Sequence, residues 1–300
     1  MISAVIHTFN EEKNLPRCLE SLSFADEIIV IDMHSSDKTC EEAQKYKTKI
    51  FKHNYTGFVE PARNFGISKA EGDWILILDA DEEIPRSLAV FLRKSAEINT
   101  SDYFRIPRKN IIFHKWMKHA GWWPDYQVRF FKRGMVSWND KIHGIPLTKG
   151  KGEDIEENED FSIIHHNYQS IGQYLDRMNR YTGVASKQLY EEGYRILKDD
   201  LFRKPLDEFV SRFFKRSGYL DGMHGLALSL LQSLSELIIY LKLWEIEKYK
   251  DEKITLENVE SNFKEEFRIK QYWLNSAMLK MSKNLLQKTI LKAKRKFYNK

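Results

Sequence analysis

The sequence predicts an α/β protein, with a Rossmann-like, mostly parallel sheet over residues 1–170 and a helical region over 171–300. Three observations predict it. In the first half, short apolar runs alternate with helix-patterned segments through short connections, which is how a doubly wound parallel sheet reads. Two of those runs end in a carboxylate on the same expected sheet edge, where open α/β sheets bind ligands. From Ile171 onward the strand pattern stops and amphipathic helical segments take over.

Residues 3–8 (SAVIHT) read as a first buried strand. Asn10 follows as the N-cap of a helix in which Leu15, Cys18, Leu19 and Leu22 recur at helical spacing. Residues 27–32 (EIIVID) form a second strand ending on Asp32, and HSSDKT turns into another helix. Residues 49–51 are a short third strand, and 60–69 (EPARNFGISK) a helix leading to the strand 74–78. That strand opens into Asp79, Ala80, Asp81 and two glutamates. Carboxylates at i and i+2 of an extended chain point the same way. The arrangement suits a hard divalent cation, Mg²⁺ or Mn²⁺, which itself grips phosphate. A polar turn capping the next helix has the same spelling. Residues 148–160 (TKGKGEDIEENED) are expected to be a mobile polar surface loop.

Hydrophobic content of 42% and charged content of 30% are ordinary for a folded chain, here 300 residues long. Cys18 and Cys40 lack metal-like spacing and read as packed thiols in a reducing compartment. Met1 leads straight into the first strand, so a cytoplasmic chain is expected. Residues 225–244 are long enough to span a bilayer, but Ser229, Gln232, Ser233, Ser235, Glu236 and Lys242 interrupt them. They are expected to lie in an interface or pack on another helix. The basic, aromatic flank 212–216 (RFFKR) suits a phospholipid headgroup layer. Residues 277–300 carry eight Lys or Arg and no acid among Leu279, Leu285, Leu286, Ile290, Leu291 and Phe297. That character favours an anionic membrane surface, with a solvated tail or an oligomer contact as alternatives. A net charge of +5 permits nucleic-acid binding, yet the charge sits beside apolar helices and no nucleic-acid motif appears, so no such partner is expected.

TFNEE, IIVIDMHSSDKT, the ARN of residues 62–64 and DADEEI together resemble the inverting family-two glycosyltransferases of the GT-A fold. IPRKN, GWWPDYQVRFFKRG, KIHG and HHNY extend the likeness to the bacterial lipopolysaccharide-core β-glucosyltransferase branch, over most of residues 1–185. The resemblance implies a metal-dependent transfer of one hexose, glucose or a relative, from a UDP-sugar to a lipid-linked glycan. Such an enzyme works peripherally on the inner face of the cytoplasmic membrane. A polyprenyl-phosphate glycosyltransferase is the nearest alternative, and a non-catalytic sugar-nucleotide-binding adaptor the alternative from another class.

Residue by residue, the resemblance places Thr8, Glu11, Asp32, Arg63, Asp79 and Arg129 at the nucleotide sugar, and gives Asp79 and Asp81 the metal. Glu11 reads equally as a first-turn helix carboxylate, and Arg63 as a surface ion pair. Asp125 is the candidate base that takes the acceptor's proton, and Arg129 either binds phosphate or holds the acidic loop. Trp122 and Trp123 are candidate sugar walls. Either His165 or His166 can complete the metal site. In KIHG, Gly144 stands where relatives carry Glu after the histidine, which weakens a role for His143.

Overall fold

The computed structural model describes residues 1–54, 59–138 and 146–299, and His143 lies outside them. The chain divides into two compact units, one of residues 1–116 and 122–169, the other of 117–121 and 170–300.

In the first unit the chain runs β1 (Ile2–Thr8), α1 (Leu15–Glu20), β2 (Glu27–Asp32), α2 (Thr39–Gln44), β3 (Lys49–Lys52), α3 (Glu60–Lys69) and β4 (Trp74–Asp79). It continues through β5 (Glu82–Glu83), α4 (Arg86–Ile98), β6 (Tyr103–Ile106), β7 (Arg108–Ile112), β8 (Lys115–Trp116) and β9 (Gln127–Lys132). The hairpin β10 (Val136–Ser137) and β11 (Leu147–Thr148), then β12 (Gly152–Asp154) and β13 (Ile163–His166), complete it. The main sheet has the order β12-β6-β9-β4-β1-β2-β3, and a second sheet the order β5-β13-β7-β8. β1 pairs in parallel with β2 and β4, and β2 with β3, whereas β9 runs antiparallel to β4 and β6.

The period-2 apolar code explains why both faces are covered. Ile2, Ala4, Ile6, Trp74, Leu76 and Leu78 pack on one side with α1 and α4, and Trp74 stacks on Phe130 at 4.6 Å. Val5, Ile29, Ile31, Ile75 and Ile77 pack on the other with α3. Each such aliphatic side chain stabilises the fold by roughly 1.5–3 kcal/mol when fully buried. α3 comes so close to β1 that a Cβ on Gly66 would lie 2.7 Å from Val5 Cγ1 and 2.9 Å from His7 Nε2.

Three local expectations are corrected. Asn10 does not cap α1, which starts at Leu15 behind Asn14 with Pro16 in its first turn. Asn10 instead takes a left-handed conformation, φ 57°, that its short polar side chain tolerates. Its Oδ1 accepts from Ser36 N at 2.8 Å, stapling the first turn to HSSDKT. Residues 148–160 are not a loop throughout, because β12 extends the main sheet beside β6 and Arg105 grips Asp154. Nor is the chain extended through Asp81: β4 ends at Asp79 and residues 80–81 turn.

The second unit consists of α5 (Ile171–Glu191), α6 (Asp200–Phe209), α7 (Met223–Ile246), α8 (Leu256–Met281) and α9 (Leu285–Phe297). Among the described residues α7 alone is long and apolar enough to cross a membrane. Its polar side chains are nevertheless used inside the unit: Ser235 and Gln232 bond Tyr174, Ser233 donates to the Pro205 carbonyl, and Lys242 reaches Asn179 Oδ1 at 2.7 Å. The RFFKR segment is divided, with its aromatic residues turned inward and Lys215 and Arg216 exposed. Phe214 is buried, Phe213 stacks on Phe209 at 5.3 Å, and Arg212 pairs with Glu208.

Candidate functional site

Parallel pairing places Thr8 opposite Asp32 and His7 opposite Asp79, so three adjacent strands deliver Thr8, Asp32 and Asp79 to one edge of the sheet. At its β2 position Asp32 is fully buried and accepts from Ser35 N and from Lys52 Nζ at 2.6 Å. Burial would raise the Asp32 carboxyl, but its bonds to Lys52 and Ser35 outweigh that and lower it. Lys52 also meets Cys40 Sγ at 2.9 Å. Glu11 sits in the loop before α1, accepting from Asn14 Nδ2 at 2.7 Å. Thr8 is buried, with no partner for its hydroxyl among the described residues.

Asp79 stands between two guanidiniums. Arg63 Nη2, from α3, lies 3.2 Å from Oδ1, and Arg129 Nη2, from β9, lies 2.7 Å from Oδ2. Desolvation would push the carboxyl up, but the charges of Arg129 and Arg63 hold it well below the usual range. Both arginines are buried and paired with Asp79, so neither is a surface ion pair, and Arg63 also stacks over Trp138 at 5.5 Å. Arg129 Nη2 is shared with Glu82 Oε1 at 2.9 Å, while Glu82 Oε2 accepts from Asp79 N at 3.0 Å. The acidic turn is thus pinned to β9.

From Glu82 the contacts continue. Arg108 donates from Nη1 to Glu82 at 3.2 Å and from Nε and Nη2 to Asp125 Oδ2 at 2.9 and 2.7 Å. Asp125, just after the cis Trp123–Pro124 bond, also accepts from Asn110 Nδ2 at 3.0 Å and, on Oδ1, from Gln127 Nε2 at 3.0 Å. Burial raises the Asp125 carboxyl, and the Arg108 charge with these bonds more than reverses it, leaving it lowered and ionised. Asn110 Nδ2 donates to the Trp122 carbonyl as well, at 2.8 Å, which fixes its amide so that Oδ1 is the acceptor. His165 Nδ1 lies 2.6 Å from that oxygen. In the neutral ring the proton therefore sits on Nδ1, and the Nε2 lone pair faces Asp81 Oδ1 at 3.6 Å.

The contacts run in a chain from Asp79 through Arg129, Glu82, Arg108, Asp125 and Asn110 to His165, whose Nε2 lies 3.6 Å from Asp81 Oδ1. Along it the three carboxylates Asp79, Glu82 and Asp125 pair with the three guanidiniums Arg63, Arg108 and Arg129, and Asp81 lies beside His165. Asp81 Oδ1 and His165 Nε2, 3.6 Å apart, are close enough that both could reach one divalent cation. No group of three or more His, Cys, Asp or Glu side chains spaced for a metal occurs among the described residues. Asp79 contributes only by sharing an oxygen now held by arginine. His166 turns away to Glu83 Oε2 at 3.2 Å.

Glu82, Arg108, Asn110 and Lys52 carry no assigned role in the sequence reading. The signal for two of them is present in IPRKN, since Arg108 and Asn110 stand two apart on β7 and so share a face. Trp122 contributes its carbonyl, and Trp123 meets Trp116 edge-on at 5.3 Å.

Residues 3–148 match the family model described as Glycosyl transferase family 2. The chain is 26% identical over 258 residues to an uncharacterized glycosyltransferase of Rickettsia bellii (strain RML369-C), covering 82% of this chain and 86% of that protein. It is 22% identical over 244 residues to the lipopolysaccharide core biosynthesis glycosyltransferase LpsC of Rhizobium meliloti (strain 1021), covering 75% and 87%. Among solved structures, S. aureus TarS aligns at 14% identity and a TM-score of 0.44, covering 83% of this chain and 54% of that one.

Proposed function

Residues 3–148 make this chain a family 2 glycosyltransferase with a GT-A catalytic unit, and from that premise we propose that it moves one hexose, glucose or a relative, from a UDP-sugar to a glycolipid with inversion. The observation that carries the reading is the chain of contacts that ties Asp79 to Asp125 and sets His165 beside Asp81.

Asp125 is the base. Held ionised by Arg108, Asn110 and Gln127, it meets the acceptor hydroxyl as a carboxylate. So weak a base takes the proton late, once the forming bond to the anomeric carbon has acidified the hydroxyl. Asp81 and His165, with Asp79 beside them, would hold Mg²⁺ or Mn²⁺. When bound, the ion neutralises charge growing on the leaving diphosphate. The mixed carboxylate–imidazole pair favours Mn²⁺, because Mg²⁺ prefers oxygen ligands alone. Arg63 and Arg129 keep Asp79 and the acidic turn in register. Lys52 and Asp32 shape the nucleoside side, with Thr8 and Glu11 along the same edge.

The relative named for lipopolysaccharide core biosynthesis supports an envelope glycan as acceptor. An acceptor anchored in lipid puts the catalyst at the cytoplasmic face of the membrane, where nucleotide sugars are available. A panel of nucleotide sugars, titrated calorimetrically with and without Mn²⁺, tests the reading. One UDP-sugar is expected to bind in a metal-dependent manner that Asp81→Ala abolishes. Binding of no nucleotide sugar under either condition refutes it.

A further inference from the structure

We propose that the helical hairpin α8–α9 is a docking surface for an anionic lipid bilayer, with α9 lying in the headgroup layer. α9 packs on α8 through buried Leu291, and Arg268 Nη1 ties its C-terminal end by donating to the Tyr298 carbonyl at 2.7 Å. At 100° per residue, Leu286, Ile290, Ala293 and Phe297 fall on one stripe, and that stripe points away from Leu291. Leu286 is 72% exposed and Phe297 70%. The helix therefore uses one residue to hold its own protein and turns its apolar face outward.

α8 repeats the pattern. Phe263, Phe267, Leu274, Met278 and Met281, at helical spacing, are all exposed. The two stripes meet, since the Tyr298 ring lies 6.1 Å from Phe267 and 5.1 Å from Phe297. A contiguous exposed apolar surface of this kind marks an interaction site.

Charge identifies the occupant. Glu266 is the last carboxylate in the side chains of this sequence, and ten Lys or Arg follow it. On the α9 wheel Lys294 flanks one side of the stripe and Lys296 the other, with exposed Lys292 beyond Lys296. Lysines flanking an apolar stripe can sink their methylenes toward acyl chains and keep the ammonium at headgroup phosphates. In a two-fold contact with a second copy the same patch faces itself, so these cations would be brought together. A nucleic-acid backbone would satisfy the lysines and leave Leu286, Ile290 and Phe297 in water.

The surface stands independently of the donor chemistry, because its test reads lipid and not sugar nucleotide. The full chain is mixed with phosphatidylcholine vesicles, with and without phosphatidylglycerol, and floated on a gradient. Binding to the anionic vesicles only is expected, weakening as salt rises. Leu286→Ser/Ile290→Ser/Phe297→Ser and, separately, Lys292→Glu/Lys296→Glu are each expected to cut partitioning by roughly ten-fold or more. Circular dichroism and UDP binding are expected to stay as in the wild type; the lysine pair is exposed and keeps the test valid if the apolar variant folds poorly. The proposal is overturned if anionic vesicles fail to bind the wild type, or bind both variants as well as it. A lipid-independent dimer that the serine variant dissociates also overturns it, as does duplex DNA binding that the serine variant leaves intact.

Discussion

At the residue scale, Asn110 does more than fill β7. Its amide nitrogen holds the Asp125 carboxylate and its oxygen fixes the His165 tautomer, so one side chain serves both Asp125 and His165. Asn110→Ala frees the imidazole to rotate and change tautomer. Its Mn²⁺ affinity, read by electron paramagnetic resonance, is expected to fall about 10- to 100-fold, the usual cost of losing a ligand's hydrogen-bond partner. An unchanged affinity removes the link. His7 gives a pH prediction. Buried beside Arg63, with Nε2 donating to the Ala62 carbonyl at 3.1 Å, it is pushed down from 6.5 to about 3, chiefly by burial. Between those values the unfolded chain binds a proton that the folded chain refuses, so stability falls as pH drops through this window. The loss is about 2 kcal/mol between about pH 7 and about pH 5. Urea unfolding at the two values measures it, and His7→Gln is expected to abolish this part of the slope.

At the element scale, strands and helices that form the sheet were legible because their code is local. SAVIHT, EIIVID and WILILD alternate apolar residues on both faces, and each became a central strand. The edge strand β12 was not legible, since GED carries no apolar code and is held by pairing with β6 and by Arg105. The site divides the same way. Asp79, Asp81 and Asp125 sit in recognisable motifs, but what each carboxylate touches depends on β7, β9 and β13 arriving from remote parts of the chain. RFFKR was ambiguous because basic and aromatic composition describes a helix whose aromatic residues pack inside the protein as well as a membrane flank. The packing of α3 on β1 yields a test. Gly66→Ala puts a methyl against Val5 and His7 and is expected to destabilise by about 1–3 kcal/mol, as a drop in melting temperature.

At the scale of the whole molecule, the first unit carries the residues proposed to act on the donor, and the second an exposed basic and apolar hairpin. On the proposed reading of a lipid-linked acceptor, the two properties belong together. Membrane vesicles are expected to raise turnover of a lipid-linked acceptor while leaving turnover of its water-soluble analogue unchanged. Acceptor assays with and without vesicles check this.

The central claim is that Asp125 accepts the proton and takes no part in holding the donor. Comparing Asp125→Asn with the wild type, for UDP-sugar affinity by calorimetry and for single-turnover donor consumption with Mn²⁺, tests it most directly. Affinity is predicted to stay within a few-fold while turnover falls about 10²- to 10⁴-fold. Turnover that survives the substitution, or affinity lost along with it, would contradict the claim.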